Sequence, residues 1–308
     1  MKKVVVIGGG HGQSTILHGL KNIKDIELTA IVTISDDGGS TGRLRNIYNI
    51  PAVGDIRNVM LSLSDEKNLI YDLMDYRFKG DNEEDVEGHS LGNLILTALL
   101  EKNKSLEKSI SLISSYLDIK GDVIPVSDEA VSLYARMEDD CIVKGEKNIP
   151  SINNHINTVF YDHDVKANNK AIKAVLEADL IIYGIGSLFT SILPIVIIKD
   201  INDALHKTKA KKIYMANCMT QNNETFDFDL KDHENALFKH NTPIDLIITH
   251  SNTIPNDIKD KYAKQNCYEV INHNDTKSKV IEKDLLDFSS GLARHSSIKI
   301  QKVIEELL

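Results

Sequence analysis

An α/β fold is the class this sequence predicts, on three observations. Residues 4–7 read Val-Val-Val-Ile, Gly8-Gly9-Gly10-His11-Gly12 follows at once, and 13–20 puts Ile16, Leu17 and Leu20 on one helical face. A second such unit comes far along the chain, where the apolar run 179–183 ends in Gly184-Ile185-Gly186-Ser187. Strand-length apolar runs recur at 28–35, 212–216 and 245–249. Continuous apolar runs separated by helices are how a parallel sheet covered on both faces reads. The expectation is a Rossmann-like, mostly parallel sheet flanked by helices, with an antiparallel β insertion around 122–160. One domain is expected over 1–308, with the insertion forming a subdomain at about 105–165.

Composition narrows the class. With 308 residues, 42% apolar and 26% charged, the chain has the makeup of an ordinary globular protein with a large core. A net charge of −9 disfavours non-specific binding to nucleic acid or anionic membranes. Cys141, Cys218 and Cys267 are too far apart for a C-x-x-C metal site or a disulfide framework, which fits a reducing, cytoplasmic setting. The first strand begins beside Met1, so no signal peptide is expected, and the apolar run near 192–198 is too short to span a bilayer.

The first glycine turn is read as a phosphate or diphosphate cradle. Strand, glycine turn and helix together aim backbone N–H groups and a helix N-terminus at an anion, with Gly9, Gly10, His11 and Gly12 at the contact. A tight βα turn without a ligand is the plain alternative. The turn fails the dinucleotide fingerprint, because Gln13 stands at the third glycine, and no Gly-Lys-Ser/Thr follows for a Walker A loop.

The second run ends in Asp36-Asp37-Gly38-Gly39-Ser40-Thr41-Gly42-Arg43-Leu44-Arg45. This stretch is expected to be a flexible loop of close approach. Asp36 and Asp37 would reach a ribose or base, and Gly39, Ser40 and Arg43 would reach phosphate oxygens. In Pro51-Ala52-Val53-Gly54-Asp55-Ile56-Arg57-Asn58, Asp55 reads as a helix N-cap. Arg57 and Asn58 would then lie in the first turn, where a cation opposes the helix dipole unless it faces an anion. Residues 80–88 read as a solvated acidic loop. Gly88-His89-Ser90-Leu91-Gly92-Asn93 opens a helix and offers His89 and Asn93 as ligand contacts.

Runs at 123–126, 132–137 and 141–143, with Glu138-Asp139-Asp140 as a hairpin turn, and a fourth at 157–160 make the antiparallel insertion. At the second glycine turn, Gly186, Ser187, Thr190 and Ser191 offer backbone and hydroxyls to phosphate. Asn217 and Thr220 follow the strand at 212–216, and Arg294 precedes the last helix as a candidate anion contact. The three glycine loops are expected to open on one cleft.

These motifs, in order, resemble the CofD-like/YvcK-like proteins, which include 2-phospho-L-lactate transferase and the gluconeogenesis factors. The resemblance runs along nearly the whole chain. It rests on Val-Ile-Gly-Gly-Gly-x-Gly at 6–12, the Asp-Asp-Gly-Gly-Ser-Thr-Gly-Arg-Leu-Arg block at 36–45, and Pro-x-x-Gly-Asp-Ile-Arg-Asn at 51–58. It continues in Gly-His-Ser-Leu-Gly-Asn-Leu at 88–94, Gly-x-Gly-Ser-Leu-x-Thr-Ser at 184–191 and Met-Thr-Gln at 219–221. The second and third blocks look like the gluconeogenesis-factor branch. The sequence departs from the pattern at His11, Ile185, Asn222-Asn223 and Ser296.

The resemblance implies a nucleotide diphosphate site and, for that branch, a regulatory protein that binds UDP-sugars such as UDP-N-acetylglucosamine. That branch is associated with cell shape during growth on gluconeogenic carbon sources. Cysteine usage points to the cytoplasm, the exposed faces of a sheet this size point to a homo-oligomer, and cell-wall synthesis proteins are the expected partners. The rival reading is a transferase acting on a guanosine diphosphate ester. There magnesium would sit on Asp36 or Asp37, and Asp37 and His89 would be the catalytic candidates. A nicotinamide oxidoreductase is the weakest reading, since the fingerprint fails.

Overall fold

The computed structural model describes residues 1–64, 68–80 and 86–308. The expected acidic loop at 80–88 therefore falls mostly outside the described residues. The first half of the chain runs β1 (Lys2–Gly8), α1 (Gly10–Leu20), β2 (Ile26–Val32), α2 (Gly39–Tyr48), α3 (Gly54–Leu63), α4 (Leu69–Asp75), α5 (Leu91–Asn103), α6 (Leu106–Leu117) and β3 (Asp122–Pro125). Then come β4 (Tyr134–Met137), β5 (Ile142–Lys144), β6 (Ile156–Phe160), α7 (Asn169–Glu177), β7 (Leu180–Gly184), α8 (Leu193–Val196), α9 (Lys199–Lys207), β8 (Lys211–Met215) and α10 (Leu230–Lys239). The chain ends with β9 (Leu246–His250), α11 (Asn256–Ala263), β10 (Lys279–Lys283), β11 (Leu286–Asp287), β12 (Arg294–His295) and α12 (Ser297–Glu305).

The main sheet has seven strands in the order β10-β9-β8-β7-β1-β2-β3. Every neighbouring pair in it is parallel. Its inner strands are apolar on both faces: β7 is buried along its whole length, as is β9. The order of strands reverses at β1, which pairs with β2 on one side and β7 on the other. In open α/β sheets the crevice beyond the strand ends at such a reversal is where ligands bind.

The Rossmann-like class and the antiparallel addition hold, with shifted boundaries. β3 pairs in parallel with β2 and belongs to the main sheet. The antiparallel sheet is the three-stranded β5-β4-β6, and it begins only at Tyr134. An alternating run at 123–126 reads equally well as an edge strand of either sheet, and pairing decides it. The Glu138-Asp139-Asp140 stretch is the β4–β5 turn, with Asp140 at φ 65°. The expected loop at 36–45 is another correction, because α2 starts at Gly39 and absorbs most of it.

Gln13 shows how the helix replaces a fingerprint glycine. It is fully buried, and its Nε2 donates to the carbonyls of Val6 (2.9 Å) and Ile31 (3.0 Å). The side chain thus bolts α1 across β1 and β2, in place of the close helix–strand contact that a glycine would permit.

Candidate functional site

The first glycine turn is tighter than the sequence implies. Helix α1 begins at Gly10, so Gly10, His11 and Gly12 form its first turn, and Gly10 takes φ 60°. A Cβ on Gly12 would lie 2.1 Å from the Ile185 carbonyl oxygen. That glycine therefore lets the first turn pack directly against the second.

A cleft of about 420 Å³ opens at the reversal of strand order. Gly9, Gly10, His11 and Gly12 form one wall and Gly186 and Ser187 the other; Asn217, Thr220 and Arg294 also line it. With Ser191, the cleft thus gathers ten of the sequence-predicted site residues. Asn217 fixes the second wall: its Oδ1 accepts the Gly186 N–H (3.2 Å) and its Nδ2 donates to the Gly186 carbonyl (2.9 Å). Thr220 Oγ1 is committed to the fold, donating to the Phe226 carbonyl and accepting the Tyr268 N–H at 2.8 Å. Arg294 is exposed at the rim. A larger groove of about 700 Å³ lies at the opposite, N-terminal ends of β1–β3 and contains none of the predicted residues.

The predicted residues of 36–58 and 88–94 do not line this cleft, so two of the three glycine loops open on it where all three were expected to. Asp55 is the near exception. It is the second residue of α3, not its N-cap, which is Val53. Its carboxylate accepts the Gly10 N–H and fills the space where a Gly9 Cβ would stand, 2.4 Å from Oδ2. Burial, then the charge of Asp36, pushes the Asp55 carboxyl up to about 7.

Behind Asp55, Asp36 accepts the Gly38 N–H at 2.9 Å and is held by Thr41. Asp37 accepts the Lys147 N–H at 2.7 Å. Burial is also the first cause that raises Asp36. Glu146, on the loop after β5, is pushed up to about 8 by burial and then by Asp36 and Asp37. Asp36 and Asp37 thus each hold a backbone N–H, and neither lines the cleft. Among the described residues no three or more His, Cys, Asp or Glu side chains are arranged to hold a metal ion.

The remaining candidates form a polar knot between α2, α3 and α5. Ser40 Oγ lies 2.8 Å from His89 Nδ1 and accepts the Asn93 amide at 3.1 Å. His89 is 5% exposed and its pKa is lowered by burial, then by Arg43. His89 is buried in this knot, and neither His89 nor Asp37 lines the cleft. Gly39 is exposed at the start of α2. Arg43 donates to the Glu87 carbonyl at 2.7 Å. Arg57 is buried against α5, where a Gly92 Cβ would strike its Cδ at 2.8 Å, and its Nη2 donates to Asn58 Oδ1. Arg57 thus points away from the first turn.

The second turn differs from a bare phosphate cradle. Glu224, 4% exposed, accepts the Phe189 N–H at 2.9 Å and the Thr190 hydroxyl at 3.4 Å. It caps the π-helical turn Leu188–Ile192 from inside the protein. Burial pushes Glu224 up to about 7, against these hydrogen bonds. Gln221 donates to Ser187 Oγ at 2.7 Å. Sequence reasoning left out Gln221, Tyr262 and His295, which also line the cleft, as well as Glu224 and Glu146. Gln221 and His295 stood inside or beside motifs already noticed, whereas Tyr262 on α11 carries no local signal.

The family model described as 2-phospho-L-lactate transferase CofD matches residues 4–286. The chain belongs to this family. It is 40% identical to the gluconeogenesis factor of Bacillus subtilis, over 99% of this chain and 98% of the relative. It is 42% identical to the gluconeogenesis factor of Listeria monocytogenes, over 99% and 95%. A crystal structure of a UPF0052-family protein from Bacillus halodurans superposes with a TM-score of 0.94 at 36% identity, covering 99% of both chains. Among the described residues, no helix is long and apolar enough to cross a membrane.

Proposed function

We propose that this CofD-family chain is a regulatory protein that binds a nucleotide diphosphate-sugar of the UDP-N-acetylglucosamine kind. It acts in the cytoplasm as a homo-oligomer, and supports cell shape during growth on gluconeogenic carbon, with cell-wall synthesis proteins as partners. The observation that carries the reading is the cleft itself, which joins the N-terminus of α1 to Gly186, Ser187 and Arg294. Backbone N–H groups of a helix N-terminus and a guanidinium suit a diphosphate. The cleft volume of about 420 Å³ suits a ligand of nucleotide size. The names of the relatives support the gluconeogenesis-factor branch.

In this reading Gly9, His11 and Gly12 hold the diphosphate, Gly10 keeps its N–H on Asp55 and shapes the turn, and Arg294 neutralises the charge. Asp55 shapes the first turn from behind. Asp36, Asp37, Arg43, Arg57, Asn58, His89 and Asn93 build the neighbouring structure. Calorimetric titration with UDP-N-acetylglucosamine, against GDP with magnesium, tests this. Micromolar binding of the UDP-sugar without metal, weakened at least about tenfold by Arg294→Ala, is expected. Preferential magnesium-dependent binding of GDP would replace this reading with the transferase.

A further inference from the structure

His11 is the one titratable side chain in residues 9–17. It belongs to the first turn of α1, is exposed, and lines the cleft. Thr15, one turn further along the same helix face, lines the cleft as well, so this face of α1 is turned to the ligand space. Helical side chains lean back toward the N-terminus, which carries the His11 ring toward the strand ends where the cleft opens. The His11 carbonyl accepts the Thr15 hydroxyl at 2.9 Å. Among the described residues the ring itself has no hydrogen-bond or ion-pair partner.

Histidine changes charge between about pH 5 and pH 8, and its protonated ring presents two N–H donors to an anion. We propose that His11 makes ligand binding in this cleft proton-linked: its protonated ring forms a charge-assisted contact with the diphosphate, so the ligand is bound together with a proton and held less tightly as the medium turns alkaline. This rests on the nucleotide-sugar reading of the same cleft and adds how its affinity is regulated. A diphosphate beside the ring favours the charged form, and by linkage the charged ring favours the diphosphate. The other titratable groups on the cleft keep their charge through this range. Burial pushes the Cys218 thiol up to about 11 and raises the Tyr262 hydroxyl, while burial and then His250 push His295 down to about 3. A guanidinium such as that of Arg294 is always charged. Behind the walls, Asp55 and Glu224 are pushed up to about 7 and Glu146 to about 8, each first by burial. The test therefore compares proteins that share these three carboxyls.

The test is the affinity of the full chain and of its His11→Gln variant for UDP-N-acetylglucosamine, measured by calorimetry at pH 5.5 and pH 8. Both phosphates of this ligand are esterified, so it lacks the second ionisation of a terminal phosphate at about pH 6, and its charge is the same at both pH values. His11→Gln keeps a neutral donor and removes the titratable charge. Wild type is expected to bind about tenfold more tightly than His11→Gln at pH 5.5 and within about twofold of it at pH 8. If His11→Gln binds too weakly to measure, His11→Lys decides, because a lysine keeps its charge over this range. Its affinity relative to wild type is expected to rise about tenfold from pH 5.5 to pH 8. An equal ratio of affinities at the two pH values overturns this inference and leaves the nucleotide-sugar reading standing. Wild-type protein that binds no UDP-N-acetylglucosamine at either pH overturns the nucleotide-sugar reading, and this inference falls with it.

Discussion

At the scale of single residues, the glycines divide by what a side chain would strike. Gly12 meets the Ile185 carbonyl, a rigid backbone atom, so Gly12→Ala is expected to destabilise by roughly 1–3 kcal/mol. Chemical denaturation measures this; a loss under about 0.5 kcal/mol would show that the two turns are not in contact. Asp55 gives a pH signature. Its folded pKa of about 7 lies above the ordinary carboxylate value, so the folded state holds the proton longer than the unfolded chain. Stability contributed by this group therefore falls as pH rises from about 4 to about 7, and levels off above. Asp55→Asn, which never ionises, is expected to gain melting temperature relative to wild type as pH rises through that window. A constant difference between pH 4 and pH 8 contradicts the burial of Asp55. None of this was legible from the sequence, which showed Asp55 only as a helix-start residue. Which way its carboxylate turns depends on Gly9 and Gly10, which lie some 45 positions earlier in the chain.

At the scale of elements, local patterning specified type well and partnership poorly. Ser105 and Asn168 cap α6 and α7, each accepting a backbone N–H from the first turn of its helix. The strand at 123–126 was readable as a strand, but its attachment to β2 was not. The glycine-dense stretch 38–45 looked like a loop because glycine lowers helix propensity. Yet Gly42 is needed inside α2, where a Cβ would lie 2.0 Å from the Asp37 carbonyl oxygen. The second turn depends on an element distant in sequence. Glu224 holds the N–H of Phe189 across 35 positions. Glu224→Ala is expected to speed hydrogen–deuterium exchange in 187–192 while leaving 10–20 unchanged, at a cost of about 1–3 kcal/mol in stability. Unchanged exchange at 187–192 would mean that the turn holds its shape without this cap.

At the scale of the whole molecule, the parallel sheet and its reversal between β1 and β7 place three strand ends around one cleft. The sequence pointed to that class and to both glycine turns, because each carries its signal within a dozen residues. It could not tell which polar residues share the cleft, because Arg294 and Gln221 reach it by the path of the chain, while Arg57 and His89 turn into a neighbouring knot. The net charge of −9 makes the cluster of N–H groups and Arg294 a local exception on an acidic surface. Binding of an anion there is expected to weaken with salt, by less than tenfold between 50 and 200 mM for a single exposed arginine. Salt-independent affinity would remove Arg294 from the contact.

The most direct measurement is a hydrogen–deuterium exchange footprint of the full chain with and without UDP-N-acetylglucosamine. The account predicts protection in 9–15, 185–191, 217–221 and 293–295, with 36–45 and 88–94 unchanged. Protection confined to 36–45, 55–58 and 88–94 would contradict it and move the ligand to the other side of Asp55.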